Sequence, residues 1–185
     1  MEIDSSDGGP DIDLIEQETV SDPAETVIST LPSVPADAHV LHIDYVYSPQ
    51  ARLQQWYEGD SDRVSEVAIV HTGYAVDDAQ TIERFGESTG LTTRFTYVEN
   101  PGDLTQVGLQ LTKSFDRTDP DSRPAVVCVD SLSLMLQYAS VDAVSSFVTE
   151  SLRLITEHEA TARFTLKPAV HDPDTLERLR SLFPE

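Results

Sequence analysis

The chain has 185 residues, with 33 acidic against 12 basic side chains and a formal charge of −21. That length suits one domain, and 39% hydrophobic residues can supply a core, so acidity alone does not make the chain disordered. Charge repulsion excludes nucleic acid and anionic membranes as default partners.

Lys113 and Lys167 are the two lysines, and acids outnumber bases nearly threefold. This balance is expected of a protein made for concentrated salt, where screening shortens charge repulsion to roughly 3 Å at 1 M. Cys128 stands alone, which gives no disulfide framework, and no Cys/His spacing matches a zinc site. The start, Met1-Glu2-Ile3-Asp4, lacks a basic region followed by an apolar one, and no apolar run approaches the roughly 20 residues that span a bilayer. The expectation is a soluble, cytoplasmic protein.

Residues 1–20 carry seven acids, no base and no sustained periodicity, and are read as a mobile acidic tail. Taking those seven from 33 leaves 26 acids against 12 bases, so the domain expected over 21–185 is itself acidic, at −14. Ser21-Asp22-Pro23-Ala24-Glu25 combines cap residues with an early proline and predicts a short helix to Thr30.

Val40 to Ile43 is a short, partly β-branched apolar run that predicts a buried strand ending at Asp44. Ser48-Pro49 opens a helix ended by Gly59, and 67–70 is a second strand. A helix bearing Ala79, Ile82 and Phe85 follows, then a strand over 95–98, then a helix with Leu104, Val107, Leu111 and Phe115. Residues 125–130 form the clearest buried strand. Val141, Val144, Val148, Leu152 and Ile155 mark a long helix, 163–167 a last strand, and Asp172-Pro173 caps a final helix. Five strands alternating with helices predict a three-layer α/β fold around a mainly parallel sheet.

Ligands of such sheets bind at the carboxyl ends of the strands, here Asp44-Tyr45, His71-Thr72-Gly73, Glu99-Asn100, Asp130-Ser131 and Lys167-Pro168. The hydrophobic strand ending in Asp130-Ser131 is the strongest local signal. In P-loop nucleotide hydrolases an acid at this position orients magnesium beside the phosphates. The matching phosphate loop should read G-x-x-x-x-G-K-[ST], but the segment after the first strand reads Asp44-Tyr45-Val46-Tyr47-Ser48-Pro49-Gln50. It has no glycine for a backbone nest and no lysine, and Asp44 repels phosphate.

The order of elements, the Asp130-Ser131 strand end, the following Leu132 to Tyr138 and the 141–155 helix resemble the Walker B half of RecA-like, KaiC-like ATPases. The ending from Phe164 to Phe183 is similar to a family of haloarchaeal RecA-like domain proteins. The resemblance covers about residues 25–185 and implies a RecA-like fold. It sets Val40 to Gln50 on the Walker A segment, which departs from that motif at every chemically needed position. The implied remnant of a nucleotide site comprises Asp130, Ser131, Asp44 and Ser48, with no cofactor or metal expected.

His71 and His171 stand at element ends without the companions of a triad or metal set, and His39, His42 and His158 offer nothing sharper. Ser131 lacks a nucleophile elbow, and Cys128 lies on a buried strand. Lys167-Pro168, with Asp44 and Ser131, also resembles the layout of two-component receiver domains, although the third strand ends in Glu99 rather than Asp. Trp56-Tyr57 and Met135, Leu136 and Tyr138 are candidates for a partner surface, or for packing under helices. The expected function is a non-catalytic regulatory or scaffolding protein acting through a protein partner or homo-oligomer. The alternatives are an atypical nucleotide-binding protein or ATPase, and a degenerate receiver-like domain.

Overall fold

The computed structural model describes residues 10–18, 27–31, 34, 36–60, 63–73, 79–117 and 125–184. The strands are β1 (Ile12–Glu16), β2 (Ala38–Asp44), β3 (Val64–Thr72), β4 (Thr92–Val98), β5 (Ala125–Asp130) and β6 (Thr161–Leu166). The helices are α1 (Pro49–Asp60), α2 (Ala79–Thr89), α3 (Leu104–Arg117), α4 (Leu132–Tyr138), α5 (Val141–Glu157) and α6 (Pro173–Arg180). All five strand pairings are parallel, in the order β1-β6-β5-β2-β3-β4.

The two faces follow from alternation along each strand. Leu41, Ile43, Ala68, Val70, Val127, Val129 and Phe164 pack under α3, α4, α5 and α6. Val40, Val67, Ile69, Val126 and Cys128 face the other way, toward Leu53 and Trp56 of α1 and Ile82 of α2. The three-layer α/β fold expected from the sequence is therefore the observed one. Among the described residues no helix is long and apolar enough to cross a membrane.

Two expectations need correction. The segment read as a mobile tail contributes β1, which pairs with β6 from Ile12↔Ala162 to Glu16↔Leu166 and adds a sixth strand to the five marked by the pattern, within the expected sheet of about five or more. Ile12 and Leu14 pack against the core, while Arg163 reaches Asp11 at 2.8 Å and Arg180 reaches Glu16 at 2.5 Å. These contacts outweigh the acidic composition. Of the helix expected over 21–30, residues 21–26 lie outside the described residues, and Val27–Thr30 form one 3-10 turn.

The strand order reverses between β2 and β5. Connections leaving β2 run to β3 and β4 on one side, while β5 and β6 lie on the other. In doubly wound sheets this switch point opens the crevice where ligands bind. Asp44 and Asp130 are register partners at the carboxyl ends of these two strands.

Candidate functional site: a closed carboxylate–guanidinium bridge

Asp44 and Asp130 point to the α1 face of the sheet, as their alternation with Ile43 and Val129 requires. Both are buried, and two carboxylates side by side in a dry site demand a countercharge. Arg52 supplies it from the first turn of α1. Its Nε donates to Asp44 Oδ2 at 2.5 Å and its Nη2 to Asp130 Oδ2 at 2.7 Å. Arg52 and Asp44 are both 0% exposed, and Asp130 is 4% exposed.

Further hydrogen bonds tie the bridge to its surroundings. Thr165 Oγ1 donates to Asp130 Oδ1 at 2.6 Å, and the backbone N–H groups of Val46 and Tyr47 each donate to Asp44 Oδ1 at 2.8 Å. Arg52 Nη1 donates to Gln55 Oε1 at 2.8 Å, and the guanidinium lies 4.5 Å from the centre of the Tyr47 ring, in cation–π range. Tyr45 N donates to Asp130 O, which ties the loop after β2 to the end of β5.

Burial pushes the Asp44 carboxyl above its ordinary value, against the pull of the Arg52 charge and the Tyr47 N–H. Burial also opposes charge on Arg52, but Asp44 and Asp130 outweigh it and raise its pKa, so the guanidinium stays protonated. Beneath it, Trp56 Nε1 donates to His42 Nδ1 at 3.1 Å. This assigns the imidazole proton to Nε2, 4.0 Å from Asp44 Oδ2. Burial first, and then the Arg52 charge, hold the His42 pKa well below its ordinary value, so His42 is neutral.

The structure separates the four residues singled out by sequence. Asp44 and Asp130 converge on one guanidinium. Ser48 and Ser131 serve as helix caps, Ser48 Oγ accepting from Ala51 N at 3.3 Å and Ser131 Oγ from Leu134 N at 3.3 Å. The peptide bond between Asp130 and Ser131 is cis. Arg52, Thr165 and Tyr47 were not foreseen. The usable signal was electrostatic, because two buried strand-end acids in adjacent strands require a cation.

The arrangement does not fit a magnesium nucleotide. The loop amides of Val46 and Tyr47, which could cradle phosphate oxygens, are occupied by the Asp44 carboxylate, and Arg52 fills the space between the acids where a metal would bind. Among the described residues no group of three His, Cys, Asp or Glu side chains could hold a metal ion.

The other histidines are placed apart from this bridge. His71 is buried and stacks on Tyr97, and His158 stacks on Phe115 at 4.3 Å. His171 Nε2 meets Ser133 Oγ at 2.8 Å, and the same oxygen accepts from Lys167 N at 2.8 Å, pinning the turn after β6 to α4. The receiver-like layout is not built. β4 lies beyond β3 at the sheet edge, so Glu99 is two strands away from the Asp44 position rather than beside it. Of the candidate surface residues, Trp56 and Met135 are fully buried and Leu136 packs against the core, whereas Tyr57 and Tyr138 are exposed.

Comparison with solved structures gives distant likenesses. A Pyrococcus horikoshii OT3 protein matches with a TM-score of 0.55 and 12% identity, over 94% of this chain and 78% of that one, which supports the fold alone. An uncharacterized P. horikoshii protein, solved in complex with an unknown peptide, matches at 16% identity and a TM-score of 0.47. The alignment covers 78% of this chain but 62% of the other, less than two thirds of its length. The flagellar accessory protein FlaH of Methanocaldococcus jannaschii matches at 16% identity and a TM-score of 0.41, over 80% and 69% of the two chains. No curated protein sequence matches this chain. A family model matches residues 14–184, from within β1 to past α6, and the chain thus belongs to a family of unknown function, DUF7504.

Proposed function

We propose that this protein is a non-catalytic regulatory or scaffolding member of the RecA-like class, acting through protein contacts in a salt-rich cytoplasm. The observation that carries the reading is the Arg52 bridge between Asp44 and Asp130. A chain that had merely lost the phosphate-binding lysine would leave a cleft at the switch point. Here a guanidinium, a carboxylate and the Tyr47 ring fill it, and every group has a partner that phosphate or metal would have to displace.

Displacement is costly on both sides. Moving Arg52 leaves two buried carboxylates unpaired, and a polyphosphate entering beside them meets like charge in a chain that carries −21. Large apolar side chains exposed at the carboxyl end of the sheet, Val46, Tyr97, Tyr138 and Val170, support a role in contacts with a protein partner or a further copy of the chain.

Titration calorimetry with magnesium-ATP in multimolar salt tests the reading. The expected result is no saturable heat that Asp130→Ala removes. The opposing reading, an atypical nucleotide-binding protein or ATPase, requires binding that Asp130→Ala abolishes.

A further inference from the structure

The face of the sheet opposite Arg52 holds a polar groove of 340 Å³ at the β4 edge. It exists because α3 lies over β2 and β3 while the helix packed on β4 is α2, on the other face. The inner side of β4 is therefore open beside α3, and Arg94, Thr96, Gln110 and Arg117 line the opening above Leu41 and Ala68.

We propose that this groove binds a small multivalent oxyanion of the phosphate class, gripped between the Arg94 and Arg117 guanidinium groups. Two of only 12 basic side chains in a chain of charge −21 converge here. Glu66 engages only the Nε edge of Arg94, and the remaining edges of two guanidinium forks in one groove match an oxyanion's paired oxygens.

Arg94 is presented by a buried support. Its Nε donates to Glu66 Oε1 at 2.6 Å, which leaves the Nη groups for the groove. Glu66 is itself 3.5 Å from His39 Nδ1, and His39 Nε2 meets Ser114 Oγ at 2.9 Å. Glu66, His39 and Ser114 are all buried, so a three-residue chain through the base of the sheet fixes one edge of an otherwise half-exposed arginine. Arg117 stands in the last turn of α3, and none of the described residues pairs with its guanidinium. Gln110, two turns earlier, adds an amide donor on the same helix face.

The proposal is independent of the Arg52 bridge, because it concerns the other face of the sheet. Its test is a titration of the full chain with inorganic phosphate at constant ionic strength, followed by isothermal calorimetry and by phosphorus NMR line width. Saturable binding that weakens at least tenfold in both Arg94→Gln and Arg117→Gln is the expected result. Arg153→Gln is the control and leaves binding unchanged, since that arginine is paired with Glu150 and Glu157 on α5. Absence of saturable phosphate binding by the wild type, or its retention in either glutamine variant, overturns the proposal. Should Arg94→Gln lose its cooperative melt, Arg117→Gln, on the exposed helix end, decides alone.

Discussion

Arg52 Nη2 donates to Asp130 Oδ2 at 2.7 Å and joins residues 78 apart in the chain, the first turn of one helix and the end of a strand on the far side of the switch point. The same guanidinium holds Asp44 at 2.5 Å. Removing it by Arg52→Ala leaves the two acids unpaired and is expected to lower stability by about 3–5 kcal/mol. A triple variant, Asp44→Asn, Arg52→Met, Asp130→Asn, removes the charges together and is expected to be more stable than Arg52→Ala. Denaturant midpoints at fixed salt check both, and a triple variant no better than the single one contradicts the bridge.

His42 gives the fold an acid-sensitive component. Burial, and then Arg52, depress its folded pKa, so below about pH 6.5 the unfolded chain takes up a proton that the folded chain refuses. This contribution to stability is complete above that pH and is lost as the pH falls toward the folded value, with a slope approaching about 1.4 kcal/mol per pH unit for one proton. His171, also depressed by burial, adds loss of the same sign. His42→Asn is expected to flatten the stability profile between pH 7.5 and roughly 5.5; an unchanged slope by urea titration contradicts the assignment.

β1 separates a docked strand from a solvated tail. Leu14 packs against the main core, so Leu14→Asp should cost about 1–3 kcal/mol, while exposed Asp13→Asn stays within about 0.5 kcal/mol. Equal, negligible effects in thermal melts would return Ile12–Glu16 to the tail.

Cys128 should be inert in the folded chain. Burial pushes its thiol up to about 12, leaving almost no thiolate at neutral pH. Mass spectrometry is expected to find no alkylation by iodoacetamide in native salt and complete alkylation in guanidinium. Rapid labelling of the native chain would contradict the burial.

Periodicity and strand-end composition made most of the fold legible in the sequence. The run from Ala125 to Asp130 and the stripe from Val141 to Ile155 are long and regular enough to show their elements. β1 was hidden because the acids at its two ends, Asp11 and Glu16, are paired with distant arginines, Arg163 and Arg180, that local patterning does not reveal. The site was half legible. Asp44 and Asp130 stood out as acids ending buried strands, and Ser48 and Ser131 stood out beside them but only cap helices. Arg52 gave no local signal, since a single arginine in a polar helix turn is ordinary until the strand pairing places both acids against it.

The most direct test of the central claim is calorimetric titration of wild-type protein with magnesium-ATP at multimolar salt, with Asp130→Ala in parallel. The closed bridge predicts no saturable binding that depends on Asp130, so any heat is the same in both proteins. Micromolar binding by the wild type that disappears in Asp130→Ala would contradict it, because the switch point would then be a working nucleotide site.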